Sequence, residues 1–171
     1  IVDIARQALF LHEVAHPGIR FELDAPDSSP LLVCDRRQLG QALTNIVKNA
    51  VEAIGRRSEE GPASGLVRMR ITEEGPHRLA IAVEDDGAGL PSERHRLFEP
   101  YMTTRARGTG LGLAIVKKIV EEHFGTIELR DREGGGTVVL IALDPAALAP
   151  LAGRTEEPDE ERVPLAFGQN N

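Results

Sequence analysis

DRRQLGQALTNIVKNAVEAIG, residues 35–55, carries a sustained helical period. Leu39, Leu43, Ile46, Val47, Ala50 and Ile54 recur at i, i+3, i+4 and i+7, the spacing that lines one side of a helix with apolar groups. Asp35 stands where an N-cap belongs, a short acceptor just ahead of the first periodic residue. The stretch therefore predicts a long helix with one buried face. At about 100° per residue, Asn49 and Glu52 fall within roughly 40° of Asn45 on a polar stripe turned away from that face.

Outward from this helix the pattern changes. Residues 1–14 show helical spacing at Ile4, Ala8 and Leu11 and stop at His16-Pro17-Gly18, so a lead-in helix over residues 1–18 is expected. Residues 19–24 alternate as a half-buried strand, Pro26 to Pro30 is turn chemistry, and residues 31–33 are expected to form a second short strand. On the other side, residues 67–72 and 79–84 read as a hairpin joined through Glu74-Gly75-Pro76. A long Gly-, Arg- and Thr-rich loop follows from Asp85 to about Gly112, then a helix to Phe124 that Gly125 is expected to close as a C′ glycine. Residues 126–130 and 137–143 read as strands around Gly134-Gly135-Gly136, and the Ala-, Pro- and acid-rich stretch from 144 to 171 as a poorly ordered tail. Strands and helices intermingle without strict β-α-β alternation. That favours an α+β sandwich at residues 19–143, with helices covering one face of a mixed sheet.

Composition narrows the function. In 171 residues, 41% hydrophobic and 27% charged, one core is expected. A net charge of −7 gives no electrostatic reason to expect a nucleic-acid partner. Cys34 is the lone cysteine, which excludes an intramolecular disulfide and a cysteine-built metal centre. No apolar run approaches the roughly 20 residues of a membrane span.

Three constellations carry chemistry. The plain structural reading of Asn45 and Asn49 is a solvated helix face, since Asn tolerates exposure. A carboxamide oxygen is also a hard neutral ligand suited to Mg²⁺, which usually takes one or two protein oxygens and fills its shell with water and phosphate. Asp85-Asp86-Gly87-Ala88-Gly89 at a strand end could be only a turn. Asp85 could equally accept from the exocyclic amine of adenine, where guanine would present a carbonyl. In Arg105-Ala106-Arg107-Gly108-Thr109-Gly110-Leu111-Gly112-Leu113, alternate glycines ahead of a helix make either a flexible hinge or a phosphate cradle of backbone N–H groups. Neither G-x-x-x-x-G-K-[ST] nor the G-x-G-x-x-G spacing fits.

These motifs, with Leu97-Phe98-Glu99-Pro100-Tyr101-Met102-Thr103-Thr104 between the second and third, resemble in order the N, G1, F and G2 boxes of sensor histidine kinases, and residues 134–137 resemble the last glycine box. The overall look is similar to kinases of the nitrogen-regulation class. The resemblance implies a two-layer, Bergerat-type fold that binds ATP and Mg²⁺. In it Asn49 is the metal ligand, Asn45 its neighbour near the phosphates and Asp85 the adenine aspartate. Gly87 and Gly89 form the base-pocket turn, and Gly108, Thr109, Gly110, Leu111, Gly112 and Leu113 the phosphate end. Phe98 and Pro100 would anchor a lid holding Thr103, Thr104, Arg105 and Arg107, and Thr137 belongs to the last box. Glu52 departs from the family, many of whose members carry a basic residue there; Lys48 is the cation nearby.

The resemblance further implies phosphoryl transfer to a histidine on a separate dimerisation domain, a response regulator downstream, a monomeric isolated domain, and a cytoplasmic location with the parent anchored in the inner membrane. Related hydrolytic ATPases carry Glu where this chain has Asn45, and a carboxamide cannot serve as a general base. A regulatory nucleotide-binding module or a hydrolase of the same superfamily is the alternative. His12-Glu13-Val14-Ala15-His16-Pro17 imitates the family's acceptor motif. It lies only 33 positions before Asn45, which leaves no room for the helical hairpin that carries an acceptor. His77, His95 and His123 share no metal or triad spacing.

Overall fold

The computed structural model describes residues 1–58, 64–100 and 110–153. Five strands, β1 (Ile19–Asp24), β2 (Gly65–Glu73), β3 (Leu79–Asp85), β4 (Thr126–Asp131) and β5 (Thr137–Leu143), form one sheet in the order β1-β2-β3-β5-β4. β1 runs parallel to β2 and the remaining pairs are antiparallel, so the sheet is mixed. Helices α1 (Val2–Ala15), α2 (Arg36–Arg57) and α3 (Gly112–Glu122) pack on one face, which makes the expected α+β two-layer sandwich.

Period-2 alternation chooses the layer. Val67, Met69 and Ile71 of β2, Leu79, Ile81 and Val83 of β3, and Val139, Ile141 and Leu143 of β5 all point into the helical layer and are buried. They meet Leu39, Leu43, Ile46, Val47 and Ile54 of α2 and Val116, Ile119 and Val120 of α3 in a single core. α1 adds Ile4, Ala5, Ala8 and Leu9 to the same core, so the lead-in helix is packed into the domain. The opposite face carries charged cross-strand pairs: Arg68 to Glu22 at 2.8 Å, and Arg70 to Asp24 at 3.0 Å and Glu84 at 3.3 Å. Exposed pairs of this kind contribute little stability.

α2 begins as the sequence predicts. The Asp35 carboxylate accepts from the backbone N–H of Arg37 and Gln38, and β-region backbone at Asp35 sets the helix start.

Three expectations need correction. Residues 31–33 form no strand: the chain spends them crossing from the edge strand β1 to the start of α2, with Leu31 fully exposed and Leu32 and Cys34 packed against the core. At the end of α3 the left-handed residue is Phe124 (φ 53), not Gly125. The N–H of Gly125 donates to Val120 and that of Phe124 to Glu121, a Schellman pattern shifted one residue from the expected one. Gly125 is instead required by space, since a Cβ there would stand 2.5 Å from Leu143 and 2.7 Å from the Ala142 carbonyl. Finally, the chain past Asp144 continues as a short helix, α4 (Pro145–Leu148), capped by the Asp144 carboxylate and seated by buried Leu148. The acidic stretch from residue 154 lies outside the described residues.

Candidate functional site

A cavity of about 500 Å³ opens between α2, the ends of β3 and β5, and the start of α3. Its wall from α2 carries Asn45, Lys48, Asn49, Glu52 and Arg56 in successive turns. The polar stripe inferred from helical spacing is therefore a pocket lining rather than a solvated face.

Asp85 closes the sheet side. It is the last residue of β3 and points with the inner-face series, so alternation that buries Leu79, Ile81 and Val83 also buries this carboxylate, 4% exposed. Burial pushes its pKa up from the ordinary 3.8 to about 6. Backbone hydrogen bonds from Gly87, whose N–H donates at 2.9 Å, and from Thr137 act the other way. The second aspartate does different work. Asp86 accepts from the Leu66 N–H at 2.9 Å and pairs with Arg57 at 3.2 Å, tying the strand end to β2 and to the end of α2. Asp86 is outside the cavity lining, while Asp85 faces the cavity and also accepts from the Gly87 N–H of the turn.

Two glycines make this turn fit. A Cβ on Gly87 would lie 2.5 Å from the Ala53 carbonyl carbon and 2.7 Å from the Ile54 nitrogen, so only glycine lets the turn dock on α2, where the Ala88 N–H donates to the Ala53 carbonyl at 3.0 Å. Gly136, at φ +103, passes over the same strand end, and a Cβ there would stand 1.9 Å from the Asp85 carbonyl oxygen. The last glycine turn therefore belongs to the site by packing against it.

Gly110, Leu111, Gly112 and Leu113 form the remaining wall. Leu111 occupies the N-cap position of α3 and has no side-chain acceptor to offer, so the positive end of the helix dipole is directed at this part of the cavity without a capping carboxylate or hydroxyl. Gly112 lies against the Asn49 carboxamide, with both amide atoms 4.0 Å from where a Cβ would be. Phe98 sits in a 3₁₀ turn (Arg94–Phe98) with the Lys117 ammonium 5.8 Å from its ring centre.

The cavity thus brings together Asn45, Lys48, Asn49, Asp85, Gly89, Gly110, Leu111, Gly112, Leu113 and Thr137. Gly87 is not in the lining and acts one step behind it, on α2. Thr103, Thr104, Arg105, Arg107, Gly108 and Thr109 lie outside the described residues. Leu97, from the F-box stretch, also lines the cavity, as do Gln41, Arg56, Leu90, Pro91 and Leu129, which the sequence did not single out. For Gln41 and Arg56 a signal existed: they lie four before Asn45 and seven after Asn49 on the same helix stripe. For the others only the folded arrangement makes them neighbours. His12, on the half of α1 that meets α2, is absent from the lining; burial first and His16 second lower its pKa.

A metal fits only in one way. Among the described residues no three His, Cys, Asp or Glu groups converge, so no protein cage exists for a transition metal or Ca²⁺. A Mg²⁺ that takes one carboxamide oxygen and completes its shell with phosphate and water is compatible with Asn49 where it stands.

A mixed sheet under one helical layer, with carboxamides, a buried aspartate and a helix N-terminus around one cavity, defines the chain as a domain of the ATP-binding catalytic class found in sensor kinases. The chain belongs to the family of histidine kinase-, DNA gyrase B- and HSP90-like ATPases, whose model matches residues 34–147. It is 48% identical over 143 residues to nitrogen regulation protein NtrY of Azorhizobium caulinodans, which bears out the likeness to the nitrogen-regulation class, and 38% identical over 127 residues to sporulation kinase E of Bacillus subtilis. These matches cover 82% and 74% of the chain but 18% and 16% of those proteins, so the chain spans less than a fifth of either. Among solved structures, the catalytic domain of histidine kinase ThkA superposes with a TM-score of 0.72 at 28% identity, over 84% of this chain and 92% of that one. Full-length ShkA in complex with AMPPNP gives 0.71 at 26% identity, over 89% of this chain and 33% of that one.

Proposed function

We propose that the domain binds ATP with Mg²⁺ and delivers the γ-phosphoryl group to a histidine on a separate helical dimerisation domain, from which a response regulator takes it. The observation that carries this reading is the position of Asn45. The Asn45 carboxamide lines the same cavity as the buried Asp85 carboxylate and the start of α3, and no carboxamide can take a proton from water. A glutamate at position 45 would favour hydrolysis.

In this reading Asp85 accepts from the adenine amine and excludes guanine, Gly89 and Thr137 border the base, and the amides at the start of α3 receive the phosphates. Asn49 holds Mg²⁺, which would neutralise charge spread over the phosphoryl oxygens; Asn45 and Lys48 orient the chain of phosphates. Phosphoryl transfer depends on such positioning and charge balance rather than on covalent steps by the protein. The AMPPNP bound in full-length ShkA supports the choice of an adenine nucleotide. We further place the domain on the cytoplasmic side of the membrane, where ATP is available; among the described residues no helix is long and apolar enough to cross one.

Calorimetric titration with ATP, with and without Mg²⁺, tests the reading directly. Asn49→Ala is expected to abolish most of the Mg²⁺ dependence of binding while leaving adenosine affinity within about twofold. Retained dependence would reassign the ligand. Incubation of labelled ATP with the helical domain of the parent should label a histidine, whereas steady ATP turnover by this chain alone would favour a hydrolase.

A further inference from the structure

His123 is a buried titratable side chain that the proposed chemistry does not use. It sits at the C-terminal end of α3, 5% exposed. Its Nδ1 lies 2.7 Å from the carbonyl oxygen of Ile119, one turn earlier on the same helix, and its Nε2 lies 3.1 Å from the backbone nitrogen of Asp35. A carbonyl only accepts and a backbone N–H only donates. The ring is therefore the neutral tautomer in which Nδ1–H donates to Ile119 and Nε2 accepts from Asp35. The first bond is local, and the second crosses to the start of α2.

Asp35 is committed twice at that point. Its carboxylate caps α2 and its amide reaches back to α3. The two helices run antiparallel, because Gly112 lies opposite Asn49 while His123 lies opposite Asp35. At 1.5 Å per residue the two contacts are separated by about 17–21 Å. Between them Val116, Ile119 and Val120 pack into the core. Apolar packing of this kind is non-directional, whereas a hydrogen bond weakens steeply as its geometry is lost. The imidazole is thus the directional contact at the far end of the α2–α3 pair, and the glycine-carboxamide contact at the near end is part of the pocket.

We propose that His123 is a positioning residue for nucleotide binding. By accepting from the Asp35 N–H it sets the register of α3 along α2, and so the placement of the amides of residues 110–113 against the Asn49 carboxamide at the phosphate end of the cavity. This inference rests on the reading of that cavity as an ATP site. It assigns to a residue far from the nucleotide a control over the phosphates and none over the base, since Asp85 is held by β3 and by Gly87 and Thr137.

His123→Asn and His123→Gln separate the two bonds. An Asn amide nitrogen stands near the position of Nδ1 and keeps the bond to Ile119; a Gln oxygen reaches the position of Nε2 and keeps the acceptor for Asp35. Affinities for ATP·Mg²⁺ and for adenosine are measured by calorimetry at a temperature where circular dichroism shows each variant folded. Expected are a loss of about five- to tenfold in ATP·Mg²⁺ affinity for His123→Asn, the size of one lost hydrogen bond, unchanged adenosine affinity, and values within about twofold of wild type for His123→Gln. Equal ATP affinities in the two variants, or a parallel loss for adenosine, would overturn the inference while wild-type binding upholds the ATP reading. A wild-type protein that binds no ATP would overturn both. If neither histidine variant folds, Asp35→Pro against Asp35→Ala asks the same question: both lose the cap, φ −73 suits proline, and only proline loses the N–H. The inference then requires weaker ATP·Mg²⁺ binding by Asp35→Pro, and equality overturns it.

Discussion

Asp85 shows how one side chain sets stability against function. Burial raises the pKa of its carboxyl from 3.8 to about 6, so carrying the charge at neutral pH costs the folded domain on the order of 3 kcal/mol. The sign follows from the raised value. The contribution favours folding fully below about pH 3.8 and is lost as pH rises through about 6. Asp85→Asn is therefore expected to raise thermal stability at pH 7.5, by roughly 1–2 kcal/mol, because the amide replaces only part of the acceptor capacity that Gly87 and Thr137 use. The advantage over wild type should shrink through pH 6 and vanish below about pH 4, which thermal melts across that range would show. The same substitution is expected to weaken ATP binding at neutral pH, since an amide can present its donor side to the adenine amine. Wild-type ATP affinity should likewise decline as pH falls below about 6, read by calorimetry at constant Mg²⁺. An Asp85→Asn domain that is no more stable at pH 7.5 than at pH 4 relative to wild type would contradict the assigned burial cost.

At the scale of elements, α3 carries the pocket at one end and an uncommon cap at the other. Phe124 occupies the left-handed position of the Schellman turn and is 62% exposed. A residue with a Cβ pays roughly 1 kcal/mol for that conformation, and little ring burial offsets it. Phe124→Gly is expected to raise stability by about 0.5–1 kcal/mol in denaturant melts and to leave nucleotide affinity unchanged. A destabilised variant would mean that the ring makes contacts worth more than the strain. The long helix α2 plays the complementary part: its buried stripe anchors the core while its polar stripe lines the cavity, so two faces of one amphipathic pattern supply fold and site together.

For the whole molecule, the cavity is shared by α2, β3, β5 and the start of α3, so ligand binding should stabilise every layer at once. Saturation with ATP·Mg²⁺ at about one hundred times its dissociation constant is expected to add about 2.7 kcal/mol to unfolding. A thermal-shift titration should show this stabilisation with ATP·Mg²⁺, a smaller one after chelation of Mg²⁺, and none with GTP. A GTP shift equal to that of ATP would remove Asp85 as the base selector.

The sequence by itself determined the layers, the long helix and most of the pocket. Periods of 3.6 and 2 are local, and they assign Leu43 inward and Asn45 and Asn49 to a common stripe before any contact is known, while Asp85 is legible only as a carboxylate at a strand end. Local pattern could not determine what lies across a gap. Residues 31–33 have strand composition, yet a strand needs a partner and the chain there is bound for the cap of α2. Gly125 looked like a helix terminator because glycine is the usual left-handed residue, but the close approach of β5 is what demands it and Phe124 takes the turn. Gly136 against Asp85 and His123 on the amide of Asp35 join residues 51 and 88 positions apart. Only tertiary structure decides such pairs, because steric exclusion and hydrogen-bond geometry act through space and leave no period along the chain.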